Sequence, residues 1–151
     1  DYRDIRKFAK DFITAAKEPQ QTLSSKSDDV LSPVKDDLIL LLFMSRIWND
    51  QNPVKQKIIL DYIQNTVAAA KNLSDRYLAR YLSGLRAGDD EFYETLRRLK
   101  SKNPEQAIRL LKEAVKVCLV SGYLHYSERM YLADFIQTLR QEGVSIPQNL
   151  L

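Results

Sequence analysis

Apolar residues recur at helical spacing along almost the whole chain, and no run of strict alternation bounded by turn signals interrupts them. That single periodicity restricts the fold to the all-α class, because strands need the alternation that is missing. With 151 residues the chain is long enough for one domain to bury a core without staples. Only 4 residues are glycine, and neither GxxxxGK nor GxGxxG occurs, so the common nucleotide-cradling loops are disfavoured. A single Cys118 and a single His125 exclude disulfide frameworks within the chain and Cys/His zinc cages, and fit a reducing compartment.

Seven helices follow from the periodicity and its punctuation. The first covers about 1–17, with Ile5, Phe8, Phe12 and Ile13 on one stripe and Arg3, Lys7, Lys10 and Lys17 on the other side. Residues 18–33 are polar and twice interrupted by proline, which predicts a long mobile loop. A second helix starts near residues 33–36 and runs to Trp48. Its stretch Leu38 to Met44 is apolar throughout, too short for a membrane span of ~20 residues and therefore the centre of the core. Asn52-Pro53 and Asn103-Pro104 are start signals, a capping side chain followed by a residue whose missing N–H is not needed in the first turn. They open helices over 53–71 and 104–120. Ser74 opens one to Arg86, Asp89 one to Lys100, and the last runs over 126–142 with Gly143 as its stop. Asp1 is not an initiator Met, and no basic leader with an apolar segment opens the chain.

A shift of 73 residues superposes Asp61-Tyr-Ile-Gln64 on Asp134-Phe-Ile-Gln137 and carries Asn52 onto His125. Two helical hairpins are thus in register, each an apolar helix, a short loop and a capped helix. In the second copy His125 and Glu128 have the N-cap and N3 spacing of a capping box; in the first, Lys55 stands at N3.

The second copy, Ala114 to Leu139, resembles the TerB-like tellurite-resistance family, whose hairpins carry a loop Ala-Asp-Gly-x-hydrophobic-Ser-x-x-Glu. Here the string is Val120, Ser121, Gly122, Tyr123, Leu124, His125, Tyr126, Ser127, Glu128. The glycine, the hydrophobic residue and the glutamate match, and Ser121 replaces the loop aspartate. In the first copy Trp48, Asn49 and Lys55 occupy the equivalent places, with Asp50 one position late. The resemblance implies an all-helical, cytoplasmic TerB-like bundle of two related hairpins, tied to tellurite or stress resistance, with divalent cations held by acidic clusters in some members. The residues that could serve such a cation are Asp50, Ser121 and Glu128, fewer oxygens than Mg or Ca asks for.

Catalytic residue types are scarce, and the expectation is a module without enzymatic activity or obligatory cofactor. His125 is the one side chain with an ordinary pKa near neutrality, but capping explains its place. Asp89, Asp90, Glu91 and Glu94 form the densest carboxylate group; Asp90 and Glu94 share a face and could hold a cation or share a proton, although acids in a first turn already complement the helix dipole. Cys118 lies on an apolar stripe. The most basic stretch, Arg97, Arg98, Lys100, Lys102, Arg109 and Lys112, with Arg76, Arg80 and Arg86, is diluted by Glu105 and Glu113, and a net charge of +3 is small, so nucleic acid is not the expected ligand. Tyr123, Tyr126 and Tyr131 gather near the last loop and Trp48 ends the matching helix. Such aromatics commonly anchor protein contacts, which makes these four the candidate surface for a protein partner, peripheral to a membrane complex or free of one.

Overall fold

A computed structural model describes residues 30–48, 52–99, 102–148 and 150; the helix expected over 1–17 and the loop residues 18–29 lie outside them. Six α-helices fill the described chain, with no strand among those residues: α1 (Lys35–Ile47), α2 (Pro53–Thr66), α3 (Asp75–Ser83), α4 (Asp89–Arg98), α5 (Pro104–Cys118) and α6 (Tyr126–Gln141). The described residues are thus helical, in the connections between helices, or in the tail that follows α6.

Helix α1 is central. Every residue from Asp37 to Ser45 is buried, and the helix packs on α5, α4, α2 and α6. A helix apolar all round can only be stable where it is surrounded. Helix α5 is the second axis, burying Ala107, Leu110, Leu111, Ala114, Val115, Val117 and Cys118 and touching α1, α2 and α6. The two hairpins of the repeat, α1–α2 and α5–α6, therefore pack against each other, while α3 leans on α2 and α4 bridges α1 and α6.

The local start signals operate as read. Val54 N–H donates to Asn52 Oδ1 at 2.9 Å, Glu105 N–H to Asn103 Oδ1 at 2.8 Å, and Tyr77 N–H to Ser74 Oγ at 3.1 Å. Three boundaries differ. Residues 30–33, read as the end of a mobile loop, are helical turns, because Leu31 and the adjoining Val34 are buried in the core and hold them there. The helix expected to reach residue 71 breaks at Val67, which is extended (φ −117°, ψ 106°), and resumes as a 3₁₀ turn over Ala68–Asn72 whose Ala70 is buried. Helix α3 stops at Ser83, capped by Gly84, rather than at Arg86. The turn Leu119–Ser121 after α5 closes at Gly122, whose φ of 90° lies in the left-handed region, as does Gly143 at 79° after α6.

Polar groups tie the helices together at the N-terminal end of α1. Arg98 grips Asp36 through two hydrogen bonds of 3.1 and 3.0 Å. Asp37, buried, accepts from the Tyr62 hydroxyl at 2.5 Å on one oxygen and pairs with Lys102 at 2.7 Å on the other. The acids placed in this first turn to suit the helix dipole thus also fasten α2, α4 and the loop before α5. Arg109 lies over the Tyr62 ring and donates to the Asn65 carbonyl at 3.4 Å. Arg98, Lys102 and Arg109, three members of the basic stretch, are accordingly engaged inside the bundle's own framework, and Lys100 lies outside the described residues.

Candidate functional site

The ends of α1 and α5 and the beginnings of α2 and α6 converge at one end of the bundle. At its centre Glu128 and Lys55 are both fully buried, with Lys55 Nζ 3.7 Å from Glu128 Oε2. These two residues stand at equivalent positions of the two repeats, 73 residues apart. The Lys55 ammonium also donates to the Trp48 carbonyl at the end of α1. The other carboxylate oxygen of Glu128 accepts from the His125 N–H at 2.9 Å, and His125 Nδ1 accepts from the Ser127 N–H at 3.3 Å. The reciprocal cap legible in the sequence is therefore present, with the histidine reaching one residue short of N3.

Above this pair the Trp48 indole stacks on the His125 imidazole, centroids 4.1 Å apart and planes within 8°. The stack closes the first loop onto the second. Cys118 is buried at the end of α5; burial, and then the neighbouring Glu128 carboxylate, hold its thiol well above the ordinary range. A thiol so held is a packing group, as its place on an apolar stripe indicated.

The structure divides the sequence-derived candidates. Trp48, Tyr123 and Tyr126 do come to one end, with exposures of 41, 58 and 72%, and are joined there by Leu119 at 42% and Met130 at 54%. Tyr126 and Met130 stand one turn apart on α6. These five are the exposed large hydrophobic residues among the described ones; Leu119 reads in the sequence as part of the apolar stripe of Cys118, and nothing in the sequence singles out Met130. Tyr131 does not belong to this group. It turns inward against Phe43 (4.7 Å), Phe92 (5.5 Å) and Tyr93 (6.1 Å), half-buried between α1, α4 and α6. The neighbouring Asp89 carboxylate, and then burial, raise its hydroxyl above the usual value. Five residues beyond Tyr126, it faces another way around the helix.

Of the cation candidates, Asp50 lies outside the described residues, and Glu128 accepts from the His125 N–H on one oxygen while the other, buried without a hydrogen-bond donor, faces the Lys55 ammonium at 3.7 Å. In the sequence Lys55 stands as the missing carboxylate of a degenerate capping box, and in the fold it is the counter-charge of Glu128. The signal was available: a repeat that places lysine at one position and glutamate at its equivalent brings opposite charges together when the two copies pack face to face. Among the described residues no three His, Cys, Asp or Glu side chains group to hold a metal ion. Asp90 and Glu94 are exposed on α4, and neither lines the surface cleft of about 410 Å³ between α4 and α6, where Tyr93, Arg97, Asp134 and Gln137 are found. The Tyr93 hydroxyl there donates to Asp134 at 2.6 Å.

No described helix is long and apolar enough to cross a membrane. Comparison with models of known protein families, with curated proteins and with solved structures gives no match.

Proposed function

We propose that this chain is a non-enzymatic, TerB-like helical module that acts by binding a protein partner through the end of the bundle bearing Trp48, Leu119, Tyr123, Tyr126 and Met130. One observation carries the reading: the exposed large hydrophobics of the described chain gather in the two loops and first turns that meet there. Scattered apolar residues are ordinary on a surface, whereas a gathered set rich in aromatics is the usual composition of an interface centre. The buried Lys55–Glu128 pair and the Trp48–His125 stack supply the rigidity that keeps the ordering cost of binding low. The family resemblance adds the setting, a cytoplasmic stress-response system of the tellurite-resistance kind.

Replacing Tyr123 and Tyr126 with alanine tests the assignment. Both side chains are exposed, so unfolding should stay within about 0.5 kcal/mol of the parent, while partner capture by the immobilised chain falls at least tenfold. Undiminished capture would remove these tyrosines from the site.

Glu128 as a cation ligand is the competing reading, and it requires Lys55 to withdraw, since the ammonium already supplies the positive charge. EDTA-treated protein is thus expected to show no rise in Tm on adding millimolar Mg, Ca or Mn or micromolar Zn. A rise of several degrees with one of them, which a ligand specific for the native state must produce, would favour the cation.

A further inference from the structure

A shallow groove of about 580 Å³ runs between α2 and α5 toward the same end of the bundle, its floor made by Ile58, Val115, Leu119, Val120 and Leu150. The charged side chains lining it are Lys112 and Lys116, one turn apart on α5, both exposed and without a carboxylate partner among the described residues. On the α2 side Asp61 is occupied by Lys57 at 3.2 Å. Ile58 and Val115 are buried beneath it, so its accessible apolar surface comes from Leu119, Val120 and the tail residue Leu150, and Lys112 and Lys116 make one rim positive.

We infer that this groove takes an acidic amphipathic helix of the partner, which lays its apolar face between α2 and α5 and sets carboxylates on Lys112 and Lys116. The inference rests on the reading of the chain as a protein-binding module and names what the partner presents. Three features select a helix of this charge. The furrow between two packed helices accepts the ridges of a third. The two lysines form an i, i+4 row, which carboxylates one turn apart on a docked helix can match. Addition of a strand, the other common mode of peptide docking, needs a sheet edge, and no strand is present among the described residues. Leu119 belongs both to the groove and to the exposed set at the bundle end, so the two surfaces are continuous.

The test selects binders from a displayed library of helical peptides, randomised on their surfaces, with the full chain as bait and the Lys112→Glu/Lys116→Glu variant as a second bait. The parent should enrich sequences with apolar residues at i, i+3, i+4 and i+7 flanked by Asp and Glu. The double variant should enrich the same stripe flanked by Lys and Arg. A peptide chosen by the parent should bind the variant at least tenfold more weakly, and exchanging its acids for lysines should restore binding. Enrichment without acidic residues, or equal affinity for both baits, overturns the proposal. So does an absence of enriched helices, including the case in which the chain sediments instead with phosphatidylcholine vesicles containing phosphatidylserine. The Tyr123→Ala/Tyr126→Ala variant separates the two readings. Loss of binding on that variant alone refutes the groove and keeps the aromatic end, and loss on Lys112→Glu/Lys116→Glu alone keeps the groove and removes the tyrosines.

Discussion

Glu128→Ala is expected to destabilise the fold by about 3–5 kcal/mol, the range for removing one partner of a buried ion pair. For a chain of this size that corresponds to a fall in Tm of roughly 6–20 °C. The substitution leaves the fully buried Lys55 ammonium with the Trp48 carbonyl alone, and takes from the His125 N–H its acceptor at the start of α6. Desolvation decides the size of the effect, because a charge held away from water without its counter-charge is worse than no charge. Replacing both partners, Lys55→Met with Glu128→Leu, should consequently recover most of the loss, remaining within about 1–2 kcal/mol of the parent because the cap is still missing. Chemical denaturation of the parent, both single variants and the double variant measures this cycle. A Glu128→Ala protein within about 2 °C of the parent's Tm would show that the pair does not hold the two loops together.

The second expected result concerns alkaline stability. Burial, followed by the charge of Asp37 and the hydrogen bond to it, raises the Tyr62 phenol well above its ordinary value. Below the unfolded pKa of ~10 the phenol is neutral in both states and its contribution is complete. As pH rises past ~10 the unfolded chain releases this proton while the native state keeps it, so stability falls with pH, by about 1.4 kcal/mol per unit. Tyr93 and Tyr131 shift in the same direction, Tyr93 chiefly through its hydrogen bond to Asp134, but lie nearer water and add less. Lysines also titrate here, and comparison with Tyr62→Phe isolates the one phenol. At pH 8 the parent should exceed the variant by about 1–3 kcal/mol, the cost of leaving a buried carboxylate oxygen without its donor. By pH 11.5 about 2 kcal/mol of that advantage should have disappeared. Parallel curves between pH 8 and 11.5 would refute the linkage.

Local features of the site were legible in the chain. The caps at Asn52, Ser74, Asn103 and His125 involve groups two or three residues apart, so their spacing alone announces them. The burial of Cys118 and of the Leu38 to Met44 stretch followed from helical periodicity. Tyr131 was misplaced because nearness in sequence to Tyr126 says nothing about phase around a helix; only the packing of α6 on α1 and α4 turns it inward. The polar neighbours of Leu31 imply a mobile loop, yet Leu31 is buried, and its contact holds the short turn against the core. Lys55 was the largest omission, since a charged residue in a capped first turn reads as solvent-facing.

What the sequence by itself determined is the all-α class, the starts of the helices, the pairing of two hairpins by a 73-residue shift, and the poverty of catalytic side chains. Those properties depend on intervals of a few residues and on composition. Only the tertiary structure decided that Lys55 meets Glu128, that Trp48 covers His125, that Asp37 holds Tyr62 and Lys102, and that a furrow between α2 and α5 is edged by Lys112 and Lys116. Each of these depends on how helices cross and rotate against one another, and that is settled by the fit of whole apolar faces, to which no local spacing is sensitive.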